Sequence, residues 1–97
     1  QDAPALVKAL GSRLVAVHVK DGIAPKSNPW APGAEAFASA SLDQRHAGTA
    51  EVPLAASLKA GEGAIKYAVI EYDNAPGDVF EDIEASYAFL TEGGFVA

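Results

Sequence analysis

Two runs rich in β-branched residues bracket this chain: Leu-Val-Ala-Val-His-Val-Lys at 14–20 and Ile-Lys-Tyr-Ala-Val-Ile-Glu-Tyr at 65–72. Both have strand length and composition. A segment reading as a helix over 53–60 lies between them. Strands joined by a helical crossover run parallel, and parallel sheets need cover on both faces. The first run fits that rule, being apolar on both faces until His18. Two strands alone leave both outer edges unpaired and too little sheet for independent stability. The sequence therefore predicts part of a larger α/β sheet, completed by more of its own protein or by partner chains.

Punctuation fixes the rest of the order. Asp2 is placed to cap a helix with Pro4 in its first turn, carrying Leu6, Val7 and Leu10 and ending at Gly11. Asp21-Gly22 closes the first strand. Residues 22–50 hold Pro25, Pro29, Pro32 and Gly33 and no sustained period, so they read as a loop. Trp30 and Phe37 argue that this loop folds over the domain, with a short helix within 34–42. Pro53 opens the helix over 53–60, where Leu54 and Leu58 share a face and Gly61 ends the run. Asp73-Asn74-Ala75-Pro76-Gly77 closes the second strand. The last helix, 79–92, has Asp78 as N-cap with Glu81 three residues on, and Gly93-Gly94 as its stop. Phe80, Ile83, Tyr87 and Leu90 form its apolar stripe, and Phe80 and Tyr87 read as core residues.

Composition narrows the function classes. The 97 residues are 49% hydrophobic and 21% charged, which is globular rather than disordered. There is no cysteine, so disulfide and thiolate-metal chemistry are excluded. No apolar run is long enough for a membrane helix and no leader pattern is present, giving the expectation of a soluble, cytoplasmic protein with no membrane partner. The net charge is -6, and residues 62–97 hold one basic and eight acidic residues. No basic patch is available to displace counterions, so nucleic acid is not an expected partner. The acidic segment reads as a solvated helix face.

Strand parity locates the chemistry. Leu14, Ala16, His18 and Lys20 share one face of the first strand, and Tyr67, Val69, Glu71 and Asp73 one face of the second. Both faces turn polar at the C-terminal strand ends, where α/β folds gather ligands. His18 and Glu71 are expected side by side there. An imidazole and a carboxylate on neighbouring strands are suitable divalent-metal ligands, though such a pair is more often simply hydrogen-bonded. Lys20, Asp21 and Asp73 read as strand-end charges facing water, and His46 as a solvated loop residue.

At these residues a family resemblance enters. Arg13-Leu14-Val15-Ala16-Val17-His18-Val19-Lys20-Asp21-Gly22 resembles the "R-hydrophobic-HxKD" strand of sugar phosphate isomerases/epimerases of the xylose isomerase-like barrel family. Tyr67-Ala68-Val69-Ile70-Glu71-Tyr72-Asp73, with Asp78 and the Ser86-Tyr87-Ala88-Phe89-Leu90 helix, is similar to that family's last strand and closing helix. Ala47-Gly48-Thr49-Ala50-Glu51-Val52-Pro53-Leu54 resembles its "G-x-G-x-hydrophobic" segment, with Ala50 replacing the second glycine.

The resemblance implies an α/β fold in which residues 1–97 are the C-terminal part, about two βα units, of a single (β/α)8 TIM-barrel domain. A barrel of that kind needs ~250 residues. The absence of methionine at residue 1 accords with that expectation. By position His18 matches the family's histidine metal ligand and Glu71 a carboxylate ligand, while Lys20 is placed to hold a substrate oxygen. The implied activity is a divalent-metal-dependent (Mn²⁺, Mg²⁺ or Zn²⁺) isomerase or epimerase of a sugar or sugar phosphate. It would act through an enediolate, with Glu71 and Lys20 as its catalytic residues here. The activity belongs to the full barrel, and the 97 residues alone are expected to be inactive, associating with the rest of the barrel or with copies of themselves. The alternatives are a dehydratase or lyase on the same barrel, and a non-catalytic, partner-binding α/β module.

Overall fold

The computed structural model describes residues 2–23, 43–73 and 77–96. They form α1 (Ala3–Leu10), a 3-10 turn (Gly11–Arg13), β1 (Ala16–Val19), β2 (Asp21–Ile23), β3 (Asp43–Arg45), α2 (Leu54–Ala60), β4 (Tyr67–Ile70) and α3 (Val79–Glu92). The result is a small mixed α/β unit with a two-stranded parallel sheet, β1-β4, and a two-stranded antiparallel one, β2-β3. There is no closed barrel among the described residues. Trp30, Phe37 and the helix expected within 34–42 lie outside them.

Local chemistry accounts for the helix ends. The Asp2 carboxylate accepts a 3.0 Å hydrogen bond from the Ala5 N–H, and Pro4 sits in the first turn of α1. Gly11 ends that helix at φ 54°, a conformation that costs glycine little. Asp78 caps α3 by accepting from the Phe80 N–H at 2.9 Å. The turn after α3 puts Gly94 at φ 75°, which ends the helix where the sequence has its second glycine.

β1 and β4 pair in the parallel register Ala16–Tyr67, Val17–Ala68, His18–Val69 and Val19–Ile70. One face of this sheet carries the core. Val17, Val19, Ala68 and Ile70 pack against Leu54 and Leu58 of α2 and Leu90 of α3. Burying each of those leucines stabilises the fold by about 2 kcal/mol. The opposite face, with Ala16, His18, Tyr67 and Val69, is exposed. α1 packs against α2.

Four expectations are corrected. The loop expected over 22–50 contains strand structure, because β2 turns straight out of β1 and pairs with β3. Phe80 and Tyr87 are not core residues, being 78% and 60% exposed, and Ile83 is also exposed. The face of α3 turned to the core carries Ser86 and Leu90, with Asp82 and Phe89 half-buried beside them. That face is set by hydrogen bonding as well as by hydrophobicity. The Ser86 hydroxyl accepts from the Ala47 N–H at 3.0 Å and meets the Tyr72 hydroxyl at 3.1 Å, and the Tyr72 hydroxyl donates to the Asp82 carbonyl at 3.3 Å. Third, His46 is half-buried rather than solvated, with its Nδ1 buried and unpartnered among the described residues.

The fourth correction is the largest. Asp21 does not face water: it is 1% exposed, among the least accessible side chains described. Its Oδ1 accepts from the Gly22 and Val52 N–H groups at 2.8 and 3.1 Å, and its Oδ2 from those of Gly48 and Ala50 at 3.0 and 3.1 Å. Four donors on one carboxylate explain how the charge is tolerated in the interior, since hydrogen bonds to a charged group are the strong ones. They also hold the 48–52 segment against the end of β1. Gly48 fits there at φ 86°, where a Cβ would stand 2.5 Å from the Phe89 ring. Asp21→Asn keeps the size but turns one acceptor into a donor facing backbone donors. It should destabilise the chain by roughly 3 kcal/mol, read as a lowered urea midpoint. An unchanged midpoint would show that the four hydrogen bonds do not hold this segment.

Candidate functional site

The exposed face of β1-β4 becomes polar at the C-terminal ends of both strands. His18 leaves β1 opposite Val69, and the register carries Lys20 opposite Glu71, whose N–H donates to the Val19 carbonyl at 3.2 Å. Because side chains alternate across a strand, His18 and Lys20 fall on the face that also carries Glu71 and Asp73. The structure brings all four together. His18 Nδ1 is hydrogen-bonded to Glu71 Oε2, Lys20 Nζ lies 3.6 Å from Glu71 Oε1, and the same ammonium donates to Asp73 Oδ2.

The cluster is graded in exposure. His18 and Asp73 are open to solvent, with side chains 68% and 65% exposed, whereas Lys20 and Glu71 between them are about 30% exposed (29% and 33%). The hydrogen bond from Lys20 holds the Asp73 carboxyl below the usual carboxylate range. In return, the hydrogen bond to Asp73, aided by the charges of Asp73 and Glu71, raises the Lys20 ammonium above its ordinary 10.5 against a partial burial that lowers it. Glu71 thus presents two chemically different oxygens, Oε1 toward a cation and Oε2 toward an imidazole.

One positioning residue escaped the sequence reading. Gln44 of β3 is 3% exposed, and its side-chain amide pairs with backbone as a strand would. Its Nε2 donates to the Glu71 carbonyl at 2.6 Å and its Oε1 accepts from the Asp73 N–H at 3.0 Å. The amide therefore fixes the backbone on both sides of Tyr72, just after β4 ends. No local periodicity around residue 44 signals this role. Asp43 and Arg45, its neighbours, form a separate exposed pair at 2.8 Å.

His18 and Glu71 are the donors of this cluster suited to a divalent ion. Among the described residues no group of three or more His, Cys, Asp or Glu side chains converges as a metal cage would. Comparison of the chain with family models, curated proteins and solved structures gives no match in any of the three. None of the described helices is long and apolar enough to cross a membrane.

The Lys20–Asp73 pair makes a pH-dependent prediction. Its contribution is present above the ordinary carboxylate pKa of 3.8 and is lost as pH falls through the lowered Asp73 value. At the other end it is present below 10.5 and is lost as pH rises through the raised Lys20 value. Lys20→Met should return the Asp73 carboxyl toward 3.8, followed by carbon-13 carboxyl NMR titration. An Asp73 titration identical in both proteins would dissolve the pair.

Proposed function

We propose that the chain forms the C-terminal βα portion of a (β/α)8 barrel acting as a divalent-metal-dependent isomerase or epimerase of a sugar or sugar phosphate, through an enediolate. One observation carries this reading: His18, Lys20, Glu71 and Asp73 converge on one face at the C-terminal ends of two adjacent parallel strands. Barrel enzymes place their chemistry at those ends. The motifs of the 13–22 and 67–73 segments, which resemble the xylose isomerase-like family, supply the reaction class.

The donor chemistry fits two corners of a metal site. His18 Nδ1 and Glu71 Oε2 are the atoms that would hold the ion, the remaining ligands coming from other strands of the barrel. A bound divalent ion supplies Lewis-acid polarisation of a substrate carbonyl. The chain's own residues do the rest. Lys20, kept cationic by Asp73, offers N–H donors to a substrate oxygen or phosphate, and its charge does not lapse anywhere near neutral pH. Glu71, oriented through the Gln44 amide and the Val19 carbonyl, is the carboxylate placed to exchange a proton at the reacting carbon.

The uncovered face of the sheet agrees with a barrel interior. Tyr67 and Val69 are 64% and 47% exposed beside His18, an apolar surface that neighbouring strands would cover. The same surface favours a second reading, a non-catalytic module that completes its sheet with a partner chain.

His18→Ala and Glu71→Gln, made in the full-length protein, should each weaken Mn²⁺ binding at least tenfold and lower turnover of sugar phosphates in parallel. Electron paramagnetic resonance of free Mn²⁺ measures the first and a coupled isomerase assay the second. Circular dichroism should be unchanged, because both side chains lie on the face away from the core. Mn²⁺ affinity equal to that of the unaltered protein in both variants would remove the metal from the proposal. Absence of turnover on any aldose or ketose phosphate would favour the partner-binding module.

A further inference from the structure

Lys20 stands between two carboxylates and is shared unequally. Its ammonium donates to Asp73 Oδ2, while Glu71 Oε1 lies 3.6 Å away, outside ordinary hydrogen-bond reach. Glu71 Oε2 is at the same time hydrogen-bonded to His18 Nδ1. The cation nearest the His18–Glu71 pair is thus held by the carboxylate that does not belong to that pair.

Backbone contacts maintain that division. The buried Gln44 amide joins the Glu71 carbonyl at 2.6 Å and the Asp73 N–H at 3.0 Å, which fixes the two carboxylate-bearing residues relative to one another. The ammonium, by contrast, rides on a flexible four-carbon stem and can cross from one carboxylate to the other. The Lys20 side chain is only 29% exposed, so an ammonium that lost its partner would turn to the next acceptor in reach. That acceptor is Glu71 Oε1. An ammonium bonded there opposes a divalent ion on the same carboxylate, by like charge and by occupying one of its oxygens.

With His18 and Glu71 as ligands of a divalent ion, the reading on which this rests, we infer that Asp73 is a positioning residue that sets the affinity for that ion by keeping the Lys20 ammonium off Glu71. Asp73 acts on the ion only through Lys20, so its effect vanishes when residue 20 carries no charge. A direct ligand behaves differently: its loss weakens binding whatever stands at residue 20.

A double-mutant cycle in the full-length protein tests it, with Mn²⁺ as the probe and the free ion followed by electron paramagnetic resonance. Asp73→Asn should weaken Mn²⁺ binding about threefold to fivefold, the worth of a partly exposed ion pair. Lys20→Met should tighten it. Once Lys20→Met is in place, Asp73→Asn should change the affinity by less than about twofold, the usual margin of additivity. Glu84→Gln, which removes a negative charge from an exposed position on α3, across the sheet from the cluster, should leave the affinity unchanged. A loss in Asp73→Asn that persists without the lysine would make Asp73 a ligand and overturn the proposal. So would a matching loss in Glu84→Gln, which would trace the effect to net charge, or unchanged affinity in Asp73→Asn. Failure of the metal reading is distinguishable from these outcomes, because the unaltered protein would then bind no Mn²⁺ and both would fall together.

Discussion

The buried carboxylate of Asp21 is the interaction on which the arrangement rests. It stands two residues after the end of β1 and gathers four backbone N–H groups, three of them from the 48–52 segment. A buried charge without such partners would cost several kcal/mol, so the segment and the carboxylate require one another. With that knot tied, Val52 and Pro53 deliver α2 at the angle that lays Leu54 and Leu58 on the sheet. Asp21 is also the first residue of β2, and β2 holds β3 and with it Gln44. Gln44 in turn fixes the backbone of residues 71–73. A structural chain of cause runs from one aspartate to the placement of Glu71 and Asp73 against His18 and Lys20.

Much of this was legible in the sequence, for reasons that are local. The β-branched runs, the Asp2 and Asp78 caps and the glycine stops act through neighbours within a few residues. Parity within two strands was enough to set His18 beside Glu71, because a parallel register needs no further information once the strands pair. Parity also held an unused signal. The alternation that groups Leu14, Ala16, His18 and Lys20 leaves Val15, Val17 and Val19 on the other face, and the next residue of that parity is Asp21. Taking Asp21-Gly22 as the stop of the strand, with Asp21 a strand-end charge facing water, hides that outcome.

What was not legible depends on distant partners. Gln44 acts on residues 27 and 29 positions away, and nothing in its surroundings foretells that. The rotation of α3 has the same origin. Reading apolar side chains alone selects Phe80, Ile83, Tyr87 and Leu90, whereas the core face runs through Asp82, Ser86, Phe89 and Leu90. Ser86 is buried because the Ala47 N–H and the Tyr72 hydroxyl both meet it, and the hydrogen bond from the Tyr72 hydroxyl to the Asp82 carbonyl completes the set. A hydroxyl that satisfies two buried groups competes successfully with a larger apolar residue for a core position.

The two faces of β1 therefore carry separate duties on alternate residues. Val17, Val19 and Asp21 face the packed side, where Val19 and Asp21 are almost wholly inaccessible. His18 and Lys20 face the open side, where water still reaches the ion pairs and screens them, so these contribute little to stability. Changes at the odd positions act on folding, and changes at the even positions act on the chemistry of the cluster. The division explains how a chain can keep a concentrated, solvent-reachable set of charges on so short a strand. The cost of organising them is borne on the far side of the sheet, by a carboxylate that takes no part in the cluster itself.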